Sequence, residues 1–80
     1  MRMHKGKWFR SVVAELKSRG FTPGGLAIPH VVSSYRRQRV TVELRGGHMM
    51  RVLHGDGRVE AHTACDVAQA VRIIAQICAE

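Results

Sequence analysis

The chain has 80 residues, with thirteen Lys and Arg against six Asp and Glu for a formal net charge of +7. A chain this short buries only about 60% of its unfolded surface, which leaves one economical core and excludes a second domain, so residues 1–80 read as a single small basic unit. No stretch approaches the ~20 apolar residues of a membrane span, and the basic start MRMHKGKWFR is followed by no apolar run of signal-peptide length, so a soluble cytoplasmic protein without a membrane partner is expected.

In KGKWFRSVVAELKSRG the apolar residues Trp8, Phe9, Val12, Val13 and Leu16 recur at helical spacing, with Lys7, Arg10, Ala14 and Lys17 on the opposite side. Gly20 can take the left-handed capping conformation, Phe21 can fold back onto the last turn, and Pro23 forbids continuation. TPGGLAIPHVVSSYRRQ combines turn chemistry, a short apolar piece and an arginine pair, and reads as a loop or an extra edge strand. From Arg39 the period changes to two: Val40, Val42 and Leu44 alternate with Arg39, Thr41 and Glu43. HMMRVLHGDGRVEAHT reads as a hairpin closed by a two-residue Asp56-Gly57 turn. A last helix follows, with Thr63 as cap, Asp66 in the reciprocal position, and Val67, Ala70, Val71, Ile74, Ile77 and Cys78 as its buried face. The fold class is therefore α+β: helix, three-stranded antiparallel meander, helix, with both helices on one face of the sheet.

The apolar pattern chooses the register. A three-residue connection Gly46-Gly47-His48 is needed to keep Val40, Val42 and Leu44 on the inward face, and a two-residue Asp56-Gly57 turn sets His54 opposite Val59 and Arg51 opposite His62. His48 and His62 are then neighbours at one end of the sheet, with His54 roughly 20 Å away at ~3.4 Å per residue. The outward face is expected to carry Arg39, Thr41, Arg51, Arg58 and His62, with Met49 and Leu53 as its apolar members.

Ten of the thirteen cations are arginine, whose planar fork grips phosphate in bidentate fashion, so the charge balance points to a polyanion. A helix N-terminus beside His48, His62 and Arg51 makes a plausible phosphate-handling corner, although the Asp66 carboxylate competes for the same N–H groups. Two histidines suit metal-independent ribonucleolytic cleavage, one taking the 2′-hydroxyl proton and the other protonating the leaving oxygen, so His48 and His62 are the catalytic candidates. The basic residues divide into a helix stripe, Lys7, Arg10 and Lys17, and the cluster Tyr35, Arg36, Arg37 and Arg39, in which an aromatic beside arginines can stack a base; Arg51 adds to them on the sheet. A solvated basic surface accounts for either group as well.

Cys65 and Cys78 stand thirteen residues apart, which is neither a disulfide framework nor a paired metal site, and reduced thiols are expected. His62 and Cys65 lack two further ligands at a convincing spacing from among His4, His30 and Cys78, so no metal and no cofactor is expected. RNA or DNA is the expected partner.

Within this order of elements, that of double-stranded-RNA-binding domains, the series LKSRGF, RGGH, HGDGR and AH resembles the small HicA-type mRNA interferase toxins. The resemblance implies interferase activity on RNA, a reacting histidine after the glycine pair at His48, and an antitoxin partner. A second class fits the same residues: a compact inhibitor or adaptor, of the size mobile elements encode, that binds a protein target through an exposed strand edge or through Met49 and Leu53.

Overall fold

A computed structural model describes residues 6–24 and 31–80, Val31 and Val32 by their backbone alone. His4 and His30, weighed above as ligands, lie outside the described residues. Helix α1 runs Lys7–Ser18 and buries Val12 and Leu16. It ends as its sequence predicts: Gly20 sits at φ +91°, Gly20 N–H donates to Lys17 O and Phe21 N–H donates to Leu16 O, both at 3.0 Å. This is a Schellman closure, and Phe21 and Leu16 complete it by packing together in the core.

Five strands follow: β1 Thr22–Pro23, β2 Val31–Arg37, β3 Val40–Arg45, β4 Met49–Leu53 and β5 Val59–Thr63, joined in that order into one antiparallel sheet before helix α2, Val67–Ala79. The α+β class is as expected, and β3, β4 and β5 are the predicted meander. Two more strands come from the segment read as loop or edge strand, whose mixed composition carries no alternation strong enough to announce β2. Val12, Leu16 and Phe21 from the α1 side, Ala70, Ile74 and Ile77 from α2, and Tyr35, Val42, Leu44, Met50 and Val52 from the sheet form one core, so both helices cover the same face.

The β3–β4 connection is the three-residue Gly46-Gly47-His48, and Val42 faces Val52 as the alternation required. The β4–β5 turn corrects the reading above. A two-residue turn of the expected type needs positive φ at both central residues, but only Gly57 has it, at +94°. The chain instead makes a three-residue loop, Gly55-Asp56-Gly57, with Gly57 N–H donating to His54 O and His54 N–H donating to Arg58 O. Leu53 therefore faces Val59, Arg51 faces Ala61, and Met50 faces His62. This one-residue difference turns every β5 side chain over, and His62 moves from the expected outer face to the helix side.

The α2 cap is corrected as well. Thr63 is spent on the sheet opposite Met49, and Asp66 is the cap: its Oδ1 accepts from Gln69 N–H at 2.8 Å, while Gln69 Oε1 accepts from Cys65 N–H at 2.8 Å. No described helix is long and apolar enough to cross a membrane.

Candidate functional site

No helix among the described residues covers the other face of the sheet, although Ser34 and Glu43 on it are only 5% exposed, and the register lays its side chains in three rows across the strands. One row holds Thr22, Arg36, Thr41, Leu53 and Val59; the next holds Ser34, Glu43, Arg51 and Ala61; the third holds Arg45, Met49 and Thr63. Arg36, Arg45 and Arg51 stand on three adjacent strands, with Met49 38% and Val59 51% exposed beside them. The one acid among them, Glu43, is only 5% exposed; its Oε1 lies 3.9 Å from both Arg45 Nε and Arg51 Nη1, too far for hydrogen bonds. Arg45 and Arg51 flank the one buried carboxylate and Arg36 stands in the neighbouring row, which gives this face net positive charge.

The expected Tyr35-arginine cluster is dispersed by strand alternation. Tyr35 is 7% exposed and belongs to the core, so its ring offers no open stacking surface. Arg36 points to the outer face and donates from Nε to Gln38 O. Arg37 is on the helix side, its stem running past Gly20, and Arg39 lies in the β2–β3 turn against Gly55, where a Cβ would come within 2.7 Å of the Arg39 Cβ. Lys7, Arg10 and Lys17 are exposed on α1, in the helix layer and away from the arginine-bearing face.

The phosphate corner expected at the start of α2 is not assembled. Arg51 projects to the opposite side of the sheet, and Asp66 and Gln69 already occupy N–H groups at that helix start. His48 and His62 both rise on the helix side but have different partners. The His48 ring stacks on Trp8, with centroids 4.6 Å apart and planes 8° from parallel, while His62 Nε2 donates to Glu60 Oε1 at 2.9 Å.

His54, set far from any site by the sequence reading, is instead joined to His62 through Glu60. His54 Nε2 donates to Glu60 Oε2 at 2.5 Å, and its Nδ1 lies 3.3 Å from Arg58 Nη2, which donates to Glu80 Oε1 at 2.9 Å. Hydrogen bonds from His62 and then His54 hold the Glu60 carboxyl below its ordinary value of 4.5. The signal for this bridge was present as even spacing, since 54, 60 and 62 share a face once the loop has three residues. Glu43, Arg45 and Trp8 were also missed; Glu43 and Arg45 follow from the β3 alternation, but nothing in the sequence pairs Trp8 with His48.

No family model matches the chain, and no curated protein or solved structure matches it either.

Proposed function

We propose that the protein is a small nucleic-acid-binding domain, with RNA foremost, that receives a phosphate backbone on the arginine-bearing face of its sheet. The observation that carries this reading is the placement of Arg36, Arg45 and Arg51 on three neighbouring strands of one sheet face, Arg45 and Arg51 flanking a buried carboxylate, with no helix above them among the described residues. Guanidinium groups bind phosphate as forks, and released counterions make such binding salt-dependent. RNA is preferred over DNA on the resemblance to HicA-type interferases.

Fluorescence anisotropy of labelled single- and double-stranded RNA and DNA, titrated across salt, tests the reading. Three phosphate contacts on a single strand give a log–log slope near −2, and no binding at low salt overturns it. Glu43→Gln sharpens the test. Removing the one negative charge of the face is expected to tighten binding a few-fold and steepen the slope, whereas weaker binding would mean that Glu43 itself contacts the ligand.

Ribonuclease activity is a second reading, favoured by the conformation of His48. This residue is a non-glycine at φ +59°, in a region such residues seldom occupy, and its exposed ring is held in place by Trp8. His48→Ala is expected to bind RNA as tightly as the parent while abolishing cleavage on a gel. Undiminished cleavage removes His48 from the mechanism.

A further inference from the structure

Among the described residues, strand β5 is paired on one side only, by β4. In an antiparallel pair, alternate residues exchange both of their backbone bonds with the partner. The bonds His54 N–H to Arg58 O and Ala64 N–H to His48 O fix which residues those are: Glu60 and His62 spend their N–H and C=O groups on β4. The groups of Val59, Ala61 and Thr63 therefore point away from the sheet along the free edge, and all three residues are exposed.

Natural edge strands are blunted by lysines, prolines, bulges or extreme shortness. The opposite edge, β1, is two residues long. β5 has five residues, VEAHT, with no proline and, in a chain of thirteen Lys and Arg, no Lys or Arg at all. The strongly basic protein has thus left one strand edge free of its own repulsive charge.

We propose that β5 pairs antiparallel with β5 of a second copy of this chain, about a two-fold axis at Ala61. Three registers bring the outward-pointing groups of two such strands together, and charge chooses among them. Centring on residue 60 sets Glu60 against Glu60 of the second copy, and centring on residue 62 sets His62 against His62. Centring on Ala61 sets Glu60 opposite His62 of the second copy, twice, with Val59 opposite Thr63. The hydrogen-bonded positions then coincide, giving about six backbone bonds between the chains from three pairs. Because the axis stands perpendicular to the sheet, both arginine faces lie on the same side of a continuous ten-stranded sheet. The nearest like charges across the junction are the two Arg51 side chains, one opposite each Ala61 on β4 and three strand spacings apart, roughly 14 Å at ~4.8 Å each, beyond the about 8 Å over which charges interact at physiological ionic strength.

Light scattering coupled to size exclusion, run across a wide concentration range up to the millimolar, provides the test. The expected result is a mass rising towards twice 8.9 kDa for the natural chain and staying at 8.9 kDa for Ala61→Pro. That proline removes an N–H facing solvent rather than β4, so far-UV circular dichroism is expected to be unchanged. A natural chain that remains monomeric throughout, or an Ala61→Pro variant that dimerises equally well, overturns the proposal.

The register is tested without proline, in a Cys65→Ser, Cys78→Ala background. Cysteine at Ala61 faces its own copy at ~5.5 Å between Cα atoms, inside the range a disulfide spans, and cross-links under mild oxidant. Cysteine at Val59 lies roughly 14 Å along the strand from its copy and does not. No cross-link at position 61, or equal cross-linking at 59, overturns the pairing.

Discussion

Replacing Arg36, Arg45 and Arg51 together by alanine is expected to weaken single-stranded RNA binding by roughly a hundredfold at low salt, on the order of 1 kcal/mol for each arginine. The log–log salt slope is expected to fall by about 2, because three phosphate contacts are lost at ~0.7 each. Lys7→Ala with Lys17→Ala serves as the comparison. That pair also lowers net charge, but it lies on α1 in the helix layer, so it is expected to change affinity only through the weak, screened field of the whole molecule. Anisotropy titrations of the two variants at several salt concentrations separate a built face from diffuse charge: equal losses in both would show that total charge, not the sheet face, holds the ligand. Circular dichroism checks that the fold survives, which is expected because the three arginines lie outside the core.

Glu60→Ala is expected to cost about 2 kcal/mol of stability near neutral pH. The His54 side chain is 7% exposed and loses its carboxylate partner, and a buried donor left unsatisfied costs about 1–3 kcal/mol. Against a total stability of roughly 4–12 kcal/mol for a chain of this length, this is a substantial fraction. The pH dependence has a definite sign. Glu60 is more acidic in the folded state than its ordinary value of 4.5, so its contribution is fully present above that value and is lost as pH falls through the depressed folded value. Denaturant unfolding of both proteins from neutral to acid pH is therefore expected to show their stabilities converging below pH 4.5. A gap that stays constant over that range would show that packing around Glu60, rather than its charge, is what the substitution removes.

The elements legible in the sequence are those whose local chemistry and tertiary role agree. Gly20-Phe21 announces the end of α1 because one glycine conformation and one aromatic contact suffice to close the helix. The β3 alternation announces a half-covered strand, and its inward valines also predicted the three-residue Gly46-Gly47-His48 connection. The β4–β5 turn was not legible for a physical reason: Asp56-Gly57 satisfies the two-residue pattern by composition, yet His54-Gly55-Asp56-Gly57 offers a turn that needs only one positive φ. The candidate site inherited that error, because one residue of register decides whether His62 stands outside with Arg51 or inside with Glu60. β2 was hidden differently. Its arginines and Tyr35 suggested a binding cluster, whereas strand alternation sends Tyr35 and Arg36 to opposite faces.

The sequential strand order also bears on how the chain reaches its native state. Every described strand pairs with its neighbour in the sequence, so the sheet can zip hairpin by hairpin, and the short connections from β2 to β5 keep the entropic cost of those steps small. The long-range step is the docking of α1 onto α2, which lie at opposite ends of the chain. Until both helices are seated, Val42, Leu44, Met50 and Val52 form an apolar sheet face without a cover. Early folding species are therefore open along that face, and refolding yield is expected to depend on how quickly the two terminal helices meet.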